Sequence, residues 1–263
     1  MRIEVIVPHG FCGGVERAVR MAHELLDKSK SAVYGLHEIV HNERVAGGLV
    51  SKGMVFVESL TDVPDGAAVL VSAHGTSPAT FKEAKRRGLT VVDATCPFVS
   101  AGHAKIRENF QNGMRTVIIG KPTHAEVKGY LGEEGACLPE DVHPGERTGR
   151  VVQTTLDADE YSGVCTATRD RQQAVRRFVK AEVLKGLSPS SVGVLVVGSP
   201  KSSNTGKLAD IAELAGARSW RVAGKEELSA IDFSGIEVLG VTSGASTSED
   251  VFDDVLECLS PST

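Results

Sequence analysis

Short apolar, β-branched runs alternate along this chain with stretches of helical period, and most of these runs end in Gly, Ser, Thr or His just before a helix begins. Parallel sheets need helices on both faces, and they present ligands at the carboxyl ends of their strands. The alternation therefore predicts an α/β protein with mostly parallel sheets and its polar loops on the functional side. Strands are expected at residues 2–7, 32–34, 54–57, 67–73, from 91, and at 115–119, 150–153, 192–197 and 237–241. Helices are expected at 15–26, 41–51, 78–87, from 97 to about 112, briefly after 124, at 172–184, after the loop ending at 205, and last to about 259.

The spacing suggests three similar α/β lobes: residues 13–96, a shorter one at 97–164, and 165–263 joined by the strand segment 1–12. There is no strict sequence repeat. Each lobe sends out a cysteine loop and a loop rich in hydroxyls or histidines, so the lobes are expected to face one centre.

At 41% hydrophobic and 24% charged residues the chain can bury sizeable cores, and a net charge of −5 gives no basic field for duplex nucleic acid. No apolar run is long enough to span a membrane, and Glu4 interrupts the opening run where a signal peptide would be apolar, so no membrane partner and a cytoplasmic location are expected. The five cysteines, at 12, 96, 137, 165 and 258, are odd in number and widely spaced, unlike a secreted disulfide framework.

Three of these cysteines stand out. Cys96 follows a strand and precedes Pro97, which suits the first helical position because its missing N–H costs nothing there. A thiol at that cap faces free N–H groups and the positive end of the helix dipole, which favour a thiolate. Cys12, in Gly10-Phe11-Cys12-Gly13-Gly14, and Cys165, in Val164-Cys165-Thr166-Ala167-Thr168, have similar surroundings. Three such thiolates could ligate zinc, hold an iron–sulfur cluster or bind nothing. Structural zinc usually shows close cysteine pairs, absent here, whereas a cubane cluster takes ligands from separated loops and, with three, keeps one iron open.

His41, His74 and His124 lie at strand-to-helix junctions, and Ser202, Ser203, Asn204 and Ser246 read as helix starts. A Ser or Asn there is usually a plain cap. Several helix N-termini carrying imidazole and hydroxyl donors make a pocket for a polyanion such as a diphosphate. Glu126, two residues after His124, is either a first-turn acid complementing the dipole or a proton donor.

At these residues the chain resembles the LytB-type 4-hydroxy-3-methylbut-2-enyl diphosphate reductases. The motifs are Gly10-Phe11-Cys12-Gly13-Gly14-Val15, Val40-His41-Asn42, Ser72-Ala73-His74-Gly75, Asp93-Ala94-Thr95-Cys96-Pro97, His124-Ala125-Glu126-Val127 and Gln153-Thr154-Thr155-Leu156. They continue with Cys165-Thr166-Ala167-Thr168 and Arg171-Gln172, Val197-Gly198-Ser199 with Ser202-Ser203-Asn204, and Gly244-Ala245-Ser246, in family order over nearly the whole chain.

The resemblance implies three lobes around a central [4Fe–4S] cluster on Cys12, Cys96 and Cys165, and reduction of an allylic diphosphate to isopentenyl and dimethylallyl diphosphates. It implies that His41, His74, His124, Ser202, Ser203, Asn204 and Ser246 hold the diphosphate. Glu126, with His124, would serve proton delivery, and Thr154 would place the substrate hydroxyl. The chain carries no flavin or nicotinamide fingerprint, and the resemblance suggests reduced ferredoxin or flavodoxin as electron donor. The chain departs from the family in a short segment at 156–164 where a helix is usual, and at Thr166, Arg169-Asp170 and Lys201. A paralogue using the cluster on another substrate, and a non-catalytic module binding metal and diphosphate, are the alternative functions.

Overall fold

The computed structural model describes residues 1–260. In chain order its strands are β1 (Arg2–Val5), β2 (Val33–Leu36), β3 (Met54–Val57), β4 (Ala68–Val71), β5 (Thr90–Asp93), β6 (Arg115–Ile119), β7 (Ala136–Cys137), β8 (Thr148–Val152), β9 (Val192–Val197), β10 (Arg218–Val222) and β11 (Val238–Ser243). Its helices are α1 (Gly13–Lys28), α2 (Glu43–Ser51), α3 (Pro78–Arg86), α4 (Pro97–Gln111), α5 (Ala125–Leu131), α6 (Thr166–Leu184), α7 (Ser203–Leu214) and α8 (Glu249–Leu259). Every strand pair among the described residues is parallel. The pairs build three sheets, ordered β1-β11-β9-β10, β3-β2-β4-β5 and β7-β6-β8.

Contacts group the chain into two compact units. The terminal unit contains residues 1–12 and those from 155 onward, and the middle unit contains 13–154 with two of the three sheets. We propose that the middle unit divides further into two lobes at Cys96, where β5 hands over to α4.

The terminal unit is built on β9 and β11, whose residues are all buried. Successive strand residues point to opposite faces. Val192, Val194 and Val196 accordingly pack with Val175 and Val179 of α6 and Leu208 and Ile211 of α7, while Leu195 and Val197 pack with Phe252 and Val255 of α8. A continuous apolar run, rather than an alternating one, is what a strand covered on both faces requires.

In the middle unit the sheet containing β2 and β4 packs Val33 and Leu70 against Ala18 and Ala22 of α1 and Leu49 of α2. The small residues Ala18 and Ala22 are fully buried, so α1 seats closely on that sheet. The third sheet packs Ile118 and Val151 against Val99 and Ile106 of α4 and Val127 and Tyr130 of α5.

Several boundaries differ from expectation. β1 stops at Val5, β2 runs on to Leu36, and α6 starts at Thr166, six residues earlier than its polar first turns suggest. β7 and β10 have no counterpart in the sequence reading. β10 ends its sheet, and Arg218-Ser219-Trp220-Arg221-Val222 is only partly apolar because an edge strand need not be covered on both sides. Residues 156–164 carry no helix, as their shortness predicts.

Candidate active site

Three histidine loops of the middle unit meet. His41 precedes Asn42, which caps α2 by accepting from Val45 N at 3.0 Å. His74 leaves β4 in a turn in which Gly75 N donates to Ser72 O at 3.0 Å and Gly75 adopts φ +74°. That left-handed conformation suits glycine, and a Cβ at Gly75 would lie 3.0 Å from Thr95 Cγ2. The histidine loop thereby lies flat against the Cys96 loop, and Cys96 N donates to Ala73 O at 2.9 Å. His124 caps α5, its Nδ1 accepting from Glu126 N at 3.3 Å, which leaves Nε2 as the protonated, donating nitrogen of a neutral ring.

The ring centroids of His41 and His74 are 4.6 Å apart, those of His74 and His124 5.5 Å, and those of His41 and His124 6.2 Å. One nitrogen from each ring lies within 4.8 Å of the others. Desolvation, then repulsion from His41, His124 and His37, holds His74 well below the ordinary imidazole value. Desolvation, then His41 and Lys121, lowers His124 to about 4. Both rings are therefore neutral at neutral pH, and an arriving anion would favour their charged forms. The spacing would also suit a metal ion, but α2 and α5 begin beside the rings, and helix N-termini favour anions over cations.

Glu126, in the first turn of α5, is 2% exposed. Its Oε1 accepts from Thr154 N at 2.8 Å and its Oε2 from Thr154 Oγ1 at 2.9 Å. Tyr130, one turn along α5, also hydrogen-bonds this carboxyl. Burial pushes Glu126 up to about 7 against the pull of these three bonds. A carboxyl with that value carries its proton about half the time near neutrality, which suits a general acid.

Cys96 caps α4 with Pro97 at its first turn, as the sequence predicts. Arg17 of α1 steadies this loop, donating to Thr95 O at 3.1 Å.

The remaining expected residues belong to the terminal unit. Cys12 directly precedes α1, and its N donates to Ala245 O at 3.1 Å. Cys165 caps α6; its Sγ accepts from Thr168 N at 3.4 Å and donates to Thr168 Oγ1 at 3.2 Å. Thr168 Oγ1 in turn accepts from Asn204 Nδ2 at 3.3 Å, which links the thiol to the start of α7. Ser202 caps α7 by accepting from Thr205 N at 3.3 Å, Ser203 opens that helix, and Asn204 follows. Asn204 Oδ1 is buried with no partner, so half of this amide is available to a ligand. Ser246 is a correction: it is buried in the loop after β11, and Ser248, two residues on, precedes α8. Lys201 is exposed, and its N donates to Ser199 Oγ at 3.2 Å.

None of the five cysteines forms a disulfide. Cys12, Cys96 and Cys165 are half-buried at helix starts, Cys258 is exposed, and Cys137 is buried with its Sγ donating to Thr116 O at 3.6 Å. Burial pushes the Cys137 thiol up, away from the thiolate a ligand must be.

The model of the LytB protein family matches residues 3–260. The chain belongs to this family. A 4-hydroxy-3-methylbut-2-enyl diphosphate reductase from Psychrobacter arcticus is 38% identical over 283 residues, covering 98% of this chain and 89% of the relative. One of the same name from Actinobacillus pleuropneumoniae is 38% identical over 291 residues, covering 98% and 90%. The solved E-1-hydroxy-2-methyl-but-2-enyl-4-diphosphate reductase of Plasmodium falciparum superposes with a TM-score of 0.91 at 28% identity, covering 99% of this chain and 88% of that one. A second solved structure, of (E)-4-hydroxy-3-methyl-but-2-enyl diphosphate reductase, the terminal enzyme of the non-mevalonate pathway, gives 0.68 at 28% identity, covering 98% and 99%. The α/β fold of this LytB chain is thus that of a family of reductases.

The sequence reading gave no role to two residues. Tyr130 lies four residues after Glu126, a spacing that places both on one helix face. Arg171 was visible only as part of a motif, although a cation in the opening turns of a helix opposes the dipole and so invites a specific reason.

Proposed function

We propose that the chain catalyses reduction of 4-hydroxy-3-methylbut-2-enyl diphosphate to isopentenyl and dimethylallyl diphosphates, the last step of the non-mevalonate route. The observation that carries this reading is Glu126: a buried carboxyl pushed up to about 7 and clamped by Thr154, two residues after one of three clustered imidazoles, in a chain that matches the LytB family from residue 3 to residue 260. The reaction takes up two electrons and two protons. The allylic C–O bond breaks, oxygen leaves as water, and a proton adds at either end of the allyl carbons, giving the two products.

We infer that Cys12, Cys96 and Cys165 hold a [4Fe–4S] cluster. Three thiols at helix starts, each outside any disulfide, form a suitable donor set. When bound, the cluster supplies the electrons and a Lewis-acidic iron for the departing hydroxyl. The protein's own residues do the rest in this reading. His41, His74 and His124 bind and orient the diphosphate together with Ser202, Ser203, Asn204 and Ser246. Thr154 positions the substrate hydroxyl, and Glu126, its carboxyl held by Thr154 and Tyr130, delivers with His124 the proton that turns a poor leaving group into water. Electrons are drawn from an external donor such as ferredoxin or flavodoxin. No described helix is long and apolar enough to cross a membrane, and we place the enzyme in the cytoplasm.

Anaerobically prepared protein is expected to contain about four iron and four sulfide per chain. Cys12→Ser, Cys96→Ser and Cys165→Ser should lose or damage the cluster, while Cys137→Ser and Cys258→Ser should retain it. Stoichiometric zinc without sulfide, or cluster loss in either of the last two variants, would overturn the assignment.

A further inference from the structure

Arg171 lies on the second turn of α6 and is 3% exposed. A guanidinium does not shed its charge in a folded protein, so burying one calls for an opposite charge nearby. The other buried ions of the terminal unit have such partners: Glu182 meets Arg2 and Lys185, and Asp157 meets Arg176. Arg171 does not. Its Nη2 donates to Gly10 O at 2.8 Å and His9 O at 3.4 Å, its Nη1 donates to Ala167 O at 3.2 Å, and its Nε has no acceptor.

The nearby acids are engaged elsewhere. Asp170 faces Arg169 at 3.9 Å, and Glu249 pairs with His9 at 3.1 Å. Burial pulls the guanidinium below its ordinary value, and the first groups to oppose that pull are the thiols of Cys12 and Cys165, ahead of Asp170 and Glu249. The hydrogen bonds explain why. Gly10 is two residues before Cys12 and Ala167 two residues after Cys165, so one side chain ties both cysteine segments together. Gly10 itself adopts φ +72°, a left-handed turn that suits glycine in the segment leading to Cys12.

We propose that Arg171 is a positioning residue and fixed counter-cation for an anionic iron–sulfur cluster on Cys12 and Cys165, holding the two cysteine segments in register and favouring the reduced, more negative state of the group. This rests on the iron–sulfur reading above. An uncompensated positive charge beside a redox centre lowers the free energy of the added electron, and in a water-poor interior that effect is weakly screened. The missing anion is then supplied by the thiolates and the group they bind.

The test is an anaerobic redox titration of the holoenzyme, with iron and sulfide analysis, in wild type, Arg171→Gln and Arg171→Lys. In Arg171→Gln the ratio of reduced to oxidised cluster at fixed potential should fall about ten-fold or more, a midpoint lower by about 59 mV for one electron. Arg171→Lys, which keeps the charge, should stay within about three-fold of wild type. Should Arg171→Gln hold no cluster, Arg171→Lys decides alone: a ratio near wild type supports the proposal and a ten-fold fall overturns it. An Arg171→Gln enzyme with full iron and sulfide and an unmoved midpoint, or an Arg171→Lys shift as large as that of Arg171→Gln, would also overturn it while leaving the iron–sulfur reading intact. Wild-type protein without iron and sulfide would instead overturn that reading, and this proposal with it.

Discussion

Among the described residues, each unit buries one carboxyl or guanidinium group that has no ion-pair partner of opposite sign, and the two are handled differently. Glu126 of the middle unit is 2% exposed and is met by neutral donors only. Arg171 of the terminal unit is 3% exposed and is met by neutral acceptors only. A carboxyl can escape its desolvation penalty by binding a proton, and the rise of Glu126 to about 7 is that escape. A guanidinium has no such route. The same burial therefore lets the first side chain exchange a proton near neutrality and leaves the second a permanent charge.

The largest expected effect breaks the proton-carrying half of this contrast. Glu126→Gln keeps the shape and can still accept from Thr154 N, but it carries no transferable proton. Its kcat should fall roughly 10²- to 10⁴-fold, with Kd for the diphosphate substrate within about two-fold of wild type. An unchanged kcat would return Glu126 to the role of a first-turn acid.

The next effect is on stability. With a folded value of about 7 against an ordinary 4.5, Glu126 costs nothing below pH 4.5, where both folded and unfolded chains carry the proton. Stability is then lost as pH rises towards 7, because the unfolded chain ionises first. His124, lowered from 6.5 to about 4, acts in the opposite sense: its contribution is complete above pH 6.5 and is lost as pH falls towards 4. The two slopes offset each other between about pH 4.5 and 6.5. Glu126→Gln should unmask the histidine, gaining on the order of 3 kcal/mol over wild type between pH 4.5 and 7.5 in urea unfolding. A difference that is constant with pH would show that the carboxyl is not forced towards its neutral form.

Smaller effects sharpen the comparison. His74→Asn and His124→Asn should each weaken binding of inorganic diphosphate by about ten-fold, the typical loss of one charge-assisted hydrogen bond, as read by calorimetry. Tyr130→Phe removes one donor from Glu126 and should shift the acid's pH dependence upward with only a few-fold change in kcat. Lys201→Asn should be smallest. An exposed ammonium before the α7 cap is well screened, so KM should rise no more than a few-fold. Improved turnover of the family substrate in that variant would mean that Lys201 serves another anion.

The residues that could be read from the sequence are those whose role is local. Pro97 after Cys96 marks a helix start by its chemistry alone, and the apolar runs at β9 and β11 can only be covered strands. The pairing of His124 with Glu126 follows from a cap and its first turn. What escaped depends on distant contacts or on burial. β10 reads as polar because it lies at a sheet edge. The opening of α6 reads as a loop because Thr166, Arg169 and Asp170 are exposed, while Arg171 beside them is buried. Its carbonyl partners Gly10 and His9 lie 161 and 162 residues away, beyond the reach of any local pattern.

The most direct test of the central claim is a single experiment on the wild-type protein. Purified and reconstituted without oxygen, it is given 4-hydroxy-3-methylbut-2-enyl diphosphate and a chemical one-electron reductant, and the products are separated. The account predicts isopentenyl and dimethylallyl diphosphates, formed with consumption of two electrons per substrate. Cluster-loaded protein that binds the diphosphate and returns it unreacted would contradict it.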